Sequence, residues 1–255
     1  MKKSVTNISA VGIIFRAANP AEIFIEMKDD GHPIKLVRRQ LCPIGGNWIG
    51  KGAVNDTNTL STFRRELGEE LSFEHPVRDS IELNLMGMSS TEHFEPVPQT
   101  SVEITDVDRE RLNRLKDAII KSAMPFGDYL NTVTKLALDS ADSENKRDGF
   151  TTLSSYFVVS LSEDSWEILL GLQKKFNNLS NESLTMVTSL DEIIRTKTKT
   201  AFSHDGALKD FFLNHGLSVA KDLPTVSGCY SEKVGLPLSS YEAYLEQYEV
   251  AKKPA

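Results

Sequence analysis

The sequence has few cysteines and no long apolar run, and each absence excludes a class of protein. Only two of its 255 residues, Cys42 and Cys229, are cysteines. Two cysteines are too few for the disulfide framework of a small secreted domain. No apolar run approaches the roughly 20 residues that span a bilayer, and no apolar signal core follows the basic start. We therefore expect a cytoplasmic protein with free thiols and no membrane partner.

The sequence also lacks an excess of positive charge. Its formal net charge is −7, which argues against a partner that is long nucleic acid or an anionic membrane. The five histidines do not have the spacing of a zinc site. A hydrophobic content of 40% and a charged content of 25% are ordinary for a globular protein. The length suits one sizeable core, or one domain with an insertion.

The most informative segment is an amphipathic helix that carries three glutamates. Residues 58–73 read NTLSTFRRELGEELSF, and their apolar residues recur at helical spacing. Glu66, Glu69 and Glu70 stand at i, i+3 and i+4, so we expect their carboxylates to share one face. Acids packed that closely repel one another unless a cation lies between them, and Mg²⁺ prefers oxygen ligands. The alternative, commoner among glutamate-rich helices, is a solvated acidic face.

The surrounding pattern resembles the signature of Nudix hydrolases, G-x5-E-x7-R-E-U-x-E-E-x-G-U, in which U is a bulky apolar residue. Residues 65–73 match the second half of that signature except at Ser72, where the family has glycine. The first half matches poorly, because Thr57 stands where the family has glutamate. Gly45 and Gly46 resemble the glycine pair that opens the motif, but they lie several residues too early. The resemblance therefore includes an extended loop before the helix.

The resemblance implies a hydrolase that cleaves the diphosphate linkage of a nucleoside diphosphate derivative, with Mg²⁺ or Mn²⁺ as cofactor. Its residue-by-residue implication is that Glu66, Glu69 and Glu70 are the metal ligands. Glu66 is also the candidate base that activates water, and Arg65 is a catalytic residue by orienting the site. In the family this arginine pairs with the earlier glutamate of the motif, so Arg65 needs another partner, for which Asp56 is the candidate.

Further candidates lie outside the helix. Gly45 and Gly46 allow a phosphate to approach the backbone closely, because glycine has no Cβ. Arg39 and its basic neighbours would place positive charge beside the metal, although a solvated loop explains them equally well. Many family members also use an acid outside the motif, and Glu163 and Glu182 are the candidates in this chain.

The order of the other elements extends the resemblance over most of residues 8–217. It implies an α/β (α+β) fold, a Nudix-type α/β/α sandwich with a mixed sheet. The patterns predict strands at 8–16, 22–27, 81–88, 155–161 and from 184, a turn at Asn19–Pro20, and helices at 106–122, 126–138 and 166–176, the last capped by Ser165.

These patterns also predict how the chain is divided. The predicted parts are a Nudix domain at 1–221, a helical insertion at about 74–150, and a C-terminal extension at 222–255 with a short helix around 241–248. The insertion either caps the active site, forms the contact of a homodimer, or merely extends the core. The leading function is the hydrolase; the alternative is a catalytically inactive nucleotide-binding or regulatory module, which the degenerate first half of the motif favours.

Overall fold

The structure is a computed structural model that describes residues 2–49, 56–73, 102–180 and 183–251. Its strands are β1 Lys3–Val5, β2 Asn7–Arg16, β3 Asn19–Met27, β4 Leu41–Cys42, β5 Ile44–Asn47, β6 Ala123–Val133, β7 Phe150–Leu161, β8 Leu184–Ser189, β9 Cys229–Gly235 and β10 Tyr248–Val250. Its α-helices are α1 Thr59–Glu70, α2 Asp106–Ser122, α3 Lys135–Ala141, α4 Glu163–Phe176, α5 Leu190–Thr196, α6 Asp205–Asn214 and α7 Tyr241–Gln247. The strand predicted at 81–88 lies outside the described ranges.

The central strand of the main sheet is β2, which has partners along both of its edges. One edge pairs with β7 in parallel over the whole length of β2. The other edge pairs antiparallel with β5 over Ser9–Gly12 and with β3 over Ile14–Arg16. The strand order is β4-β3-β2-β7-β6-β9, with β5 and β8 as additional partners of β2 and β3. Because β5 pairs with the central strand, Gly45 and Gly46 are part of the sheet and lie opposite Val11 and Ala10 of β2.

Two apolar cores cover the two faces of this sheet. Val11, Ile13 and Phe15 of β2 belong to the core that contains α5 and α6. Ala10 and Ile14 belong to the core that contains α1, α2 and α4. A strand that is buried on both faces reads as a nearly continuous apolar run, as β2 does. The predicted α/β class, with helices packed on a mixed sheet, is confirmed.

The predicted helix at 106–122 is confirmed as α2, but the prediction of a second helix at 126–138 is wrong. Residues 123–133 form β6, which pairs with β7 on one edge and β9 on the other. Gly127 disfavours a helix there, and continuous burial over residues 127–131 removes the alternation that marks a half-buried strand. A helical insertion therefore does not occupy the whole of 74–150, because β6 is an inner strand of the sheet.

The segment predicted as a C-terminal extension packs into the fold. Its strand β9 forms one edge of the main sheet. Tyr241 and Tyr244 of α7 are buried in a third core together with Ile8 and Leu153. The predicted short helix is confirmed as α7. The described part of 222–255 therefore shares a core with the central strands.

Two local predictions are wrong by a few residues. Asn19 pairs with Arg16 across a tight turn at residues 17–18, two residues before the predicted turn, so Asn19 and Pro20 are both in β3. Helix α4 is capped by Ser162, whose side chain accepts a hydrogen bond from the backbone N–H of Ser165. The predicted cap residue therefore lies inside the first turn of α4.

Candidate active site

Helix α1 is fixed at its start and along its apolar face. Asn58 caps the helix: its Oδ1 accepts from the Ser61 N–H at 2.8 Å, while Ser61 Oγ accepts from the Asn58 N–H at 3.1 Å. This reciprocal pair is a capping box. Phe63 and Leu67 are fully buried against the sheet. Both constraints hold the polar side of α1 beside β5.

The carboxylates of Glu66 and Glu70 meet the backbone at Gly45 and Gly46. The Gly45 N–H donates to Glu70 Oε2 at 3.0 Å. A Cβ at Gly46 would lie 2.4 Å from the Glu66 carboxylate, and a Cβ at Gly45 would lie 2.2 Å from the carbonyl oxygen of Ala10. Gly45 also has a φ of +138°, which favours glycine. Both glycines are therefore required for the strand and the two acids to approach each other.

The three glutamates of α1 differ in burial, a difference that their predicted shared helix face does not specify. The Glu66 side chain is 15% exposed, whereas the Glu69 side chain is 55% exposed. Glu70 is only 2% exposed. An i, i+3, i+4 set spreads over part of the helix circumference, so packing against β5 buries one edge of the set and leaves the other in solvent.

Arg65 connects the acids of α1 to the two preceding segments. Its Nη1 lies 2.8 Å from Glu66 Oε1 and 2.9 Å from Glu69 Oε2. Its Nη2 donates to the carbonyl oxygen of Asn47 at 2.9 Å, and its Nε donates to Asp56 Oδ2 at 3.0 Å. The predicted pairing of Arg65 with Asp56 is therefore confirmed. A guanidinium bound to this many partners has one orientation.

Sequence reasoning missed an acid in strand β3 and a lysine directly after it, both of which lie at this site. Glu26 is completely buried, and its Oε2 lies 3.2 Å from Lys28 Nζ. Its Oε1 is buried with no hydrogen-bond partner among the described residues. Alternation along β3 places Glu26 on the same face as Phe24, which packs in the core around α1. The sequence signal that could have indicated Glu26 is an acid at an inward-facing position of an apolar strand.

The charges of Glu26 and Glu66 affect the pKa of Glu70. Burial raises the pKa of Glu70 well above its usual range, the negative charges of Glu26 and Glu66 raise it further, and Lys28 and the Gly45 N–H oppose the rise. Burial also disfavours the charged form of Lys28, but the acidic groups around it outweigh burial and raise its pKa. Lys28 therefore offsets part of the negative charge of Glu26 and Glu70 in this part of the core.

The remaining candidate residues have other partners. Arg39 forms a bidentate ion pair with Asp30, both contacts at 2.8 Å, and its side chain is half exposed. Glu163, a candidate for the extra acid, accepts from Arg16 at 2.6 Å at the start of α4. The other such candidate, Glu182, lies outside the described residues. The acid that the structure brings beside α1 is Glu26.

The acids of α1 differ in how well they suit a divalent cation. Within the described ranges, no group of three or more histidine, cysteine, aspartate or glutamate side chains is placed to hold a metal ion. Mg²⁺ is commonly held by only one or two carboxylates, with water and substrate phosphate as the other ligands. Glu66 and Glu70 supply two carboxylates beside a strand that leaves no room for a Cβ at Gly46. This pair fits such a site; Arg65 contacts both Glu66 and Glu69, but only Glu69 is largely exposed to solvent.

Comparisons with known proteins do not assign the chain to a family. No family model matches it, and no curated protein matches it. Along the part of the chain that the structure describes, no helix is both long and apolar enough to cross a membrane. Function is therefore inferred from the residues and their geometry.

Proposed function

We propose that this chain is a Nudix-type hydrolase that uses Mg²⁺ or Mn²⁺ to cleave the diphosphate linkage of a nucleoside diphosphate derivative. The observation that carries the proposal is the meeting of Glu66 and Glu70 with the backbone of Gly45 and Gly46. The glycine pair and the two glutamates are separated by 20 residues or more in the sequence. The resemblance to the Nudix signature implies that they belong to one site. The capped helix and the Arg65–Asp56 pair agree with the same motif.

Each residue has a defined task in this proposal. Glu66 and Glu70 hold the cation, and Glu66, the more accessible of the two, takes the proton from the attacking water. When bound, the cation supplies positive charge that neutralises and orients the phosphate oxygens. Arg65 fixes Glu66, and the missing Cβ at Gly46 lets the Glu66 carboxylate approach the strand backbone. The candidate substrate is a small nucleotide.

The test is release of nucleoside monophosphate or phosphate from a panel of ADP-ribose, dinucleoside polyphosphates, nucleotide sugars and nucleoside triphosphates. We expect turnover with Mg²⁺ or Mn²⁺, none with EDTA, and a loss of about 100-fold or more in Glu66→Gln. The matched control is Glu163→Gln, which removes a carboxylate that binds Arg16 at another place. Full activity in Glu66→Gln would contradict the proposal. Loss of activity in Glu163→Gln would assign the essential carboxylate to Glu163, at the start of α4.

A catalytically inactive nucleotide-binding module is the second candidate, and a specific observation favours it. Two cations of the chain already lie beside the acids: Arg65 contacts Glu66 and Glu69, and Lys28 contacts Glu26. These contacts offset part of the negative charge that would attract a metal ion. Calorimetry with the same nucleotides separates the two candidates. Binding that is equal in Mg²⁺ and EDTA, without turnover, supports the inactive module and excludes the hydrolase.

A further inference from the structure

The C-terminal helix α7 reaches the candidate active site through one hydroxyl group. Tyr241, the first residue of α7, is 1% exposed, and its hydroxyl lies 2.5 Å from Thr62 Oγ1. Thr62 Oγ1 lies 3.0 Å from Asp56 Oδ2, the oxygen that also accepts from Arg65 Nε at 3.0 Å. Four side chains therefore form a continuous hydrogen-bonded chain from α7 to Arg65.

The chemistry of these groups fixes the direction of each hydrogen bond. An ionised carboxylate only accepts, so Thr62 donates its single hydroxyl hydrogen to Asp56, and Arg65 donates to the same oxygen. Thr62 has no second hydrogen, so the Tyr241 hydroxyl donates to Thr62. Burial raises the pKa of Tyr241, so this hydroxyl keeps its proton at neutral pH. Each donor has one acceptor, and reversing any bond would leave two acceptors facing each other.

The ring of Tyr241 is held on a second side, so its hydroxyl has one available position. Trp48 stacks on the ring with centroids 4.4 Å apart and planes 14° apart. The Tyr241 backbone N–H donates to the carbonyl oxygen of Thr57 at 3.2 Å. Trp48 directly follows Asn47, whose carbonyl oxygen accepts from Arg65 Nη2. Tyr241 therefore contacts both segments that bind Arg65: the one with Asn47 and Trp48, and the one with Asp56 and Thr57.

We propose that Tyr241 is a positioning residue: through Thr62 and Asp56 it holds Arg65 in the orientation in which Nη1 contacts Glu66. Without the Tyr241 hydroxyl, the Thr62 hydroxyl loses the partner that fixes its rotation, and Asp56 then holds Arg65 less firmly. The consequence for turnover rests on the proposed function, whereas the consequence for Arg65 itself does not. The experiment therefore measures both.

The experiment compares Tyr241→Phe with a matched control from the same helix, Tyr244→Phe. Tyr244 is also buried, but its hydroxyl bonds to Asp128 and Ser155, away from α1. One measurement is the hydrogen exchange rate of the Arg65 Nε–H by NMR, with the signal assigned by its loss in Arg65→Lys. The other is kcat and KM with Mg²⁺ on the panel member that the wild-type protein hydrolyses fastest.

In Tyr241→Phe we expect the Nε–H exchange rate to rise, and kcat to fall, by about three- to tenfold, the effect of one lost hydrogen bond. KM should stay within about twofold, because Tyr241 does not touch the substrate side of the site. Thr62→Val should reproduce the change in exchange, Thr62→Ser should not, and Tyr244→Phe should change neither quantity.

The outcomes separate this inference from the proposed function. Unchanged exchange in Tyr241→Phe overturns the positioning role, and so does an equal rise in Tyr244→Phe, because that result reflects general loosening of α7. If the wild-type protein hydrolyses no panel member, the proposed function fails. The exchange rates of Tyr241→Phe and Tyr244→Phe then decide the positioning role without reference to activity.

Discussion

Two clusters of buried polar side chains lie on opposite faces of the main sheet, and they differ in charge. On the face of α1 the acid cluster consists of Glu26, Lys28, Glu66 and Glu70. On the face of α6 the neutral network consists of Ser9, Asn131, Ser154, Tyr156 and His204. Both clusters include side chains from strands of the same sheet, and they differ in whether their side chains carry charge.

The neutral network satisfies its polar groups. Asn131 donates to Ser154 at 3.1 Å and to Tyr156 at 2.8 Å, and its own oxygen accepts from Ser231 at 2.7 Å. The Tyr156 hydroxyl bonds to His204 Nδ1 at 2.5 Å. Fully paired buried groups stabilise and rigidify a core. We interpret this network as structural.

The acid cluster, in contrast, contains groups whose contacts are unfavourable. Burial, together with the like charges of Glu26 and Glu66, raises the pKa of Glu70, and Glu26 Oε1 has no partner in the described part of the chain. A buried group without a partner costs about 1–3 kcal/mol. Strained electrostatics of this kind are concentrated at functional sites. We therefore expect activity at the charged cluster and not at the better-bonded network.

The largest expected effect is from removing the cation of the acid cluster. Lys28→Met leaves Glu26 and Glu70 buried without their counter-charge, so we expect the free energy of unfolding to fall by about 3–5 kcal/mol. Urea denaturation measures this loss. The double variant Glu26→Gln/Lys28→Met should recover part of it. A loss below about 1 kcal/mol would show that Lys28 does not balance these acids.

Acid should weaken the neutral network through His204. Burial lowers the pKa of His204 from 6.5 to about 3, and the charge of Lys28 contributes to the shift. Between pH 6.5 and about pH 3 the unfolded chain binds a proton at His204 that the folded protein excludes. The free energy of unfolding therefore keeps its full value above pH 6.5 and falls as the pH falls below it. We expect a loss of about 3 kcal/mol between pH 6.5 and pH 4.

The check on this prediction is urea denaturation at several pH values. His204→Gln lacks a titrating ring but retains a hydrogen-bonding side chain next to Tyr156. Its stability at neutral pH should be lower, while its slope between pH 6.5 and pH 4 should be shallower than that of the wild-type protein. Identical slopes in both proteins would assign the acid sensitivity to other groups.

A smaller effect, of opposite sign, is expected for Glu70→Gln. The amide keeps an oxygen that accepts from the Gly45 N–H and removes a charge that Glu26 and Glu66 repel. The free energy of unfolding should therefore rise by about 1 kcal/mol while hydrolysis is lost. Thermal unfolding and the panel assay measure the two quantities. A fall in stability would mean that Lys28 outweighs the repulsion between the acids.

The smallest effect is expected for the exposed glutamate of α1. Glu69 is directed to solvent and Arg65, so Glu69→Gln should lower kcat by less than about fivefold, against about 100-fold for Glu66→Gln. This ranking departs from the equal roles that the motif implies. Equal losses in the two variants would show that Glu69 turns toward the cation during turnover.

Much of the fold was predictable from periodicity, and the exceptions have physical reasons. The apolar spacing of residues 58–73 predicted α1, and the pairing of Arg65 with Asp56 was predicted from the acid missing at Thr57. Strand β6 was predicted as a helix, because burial on both faces removed its alternation. Glu26 was missed because its meeting with α1 depends on how β3 packs.

The sequence by itself determined the class of the fold, the helix with its three glutamates, and Asp56 as the partner of Arg65. Local spacing is enough for these features, because a helix places i, i+3 and i+4 close together wherever it lies. Only the tertiary structure decided which glutamates are buried, that Glu26 and Lys28 join them, and that Tyr241 reaches the site from α7. Those contacts join residues far apart in the chain, so they depend on the register of the sheet and the packing of helices upon it.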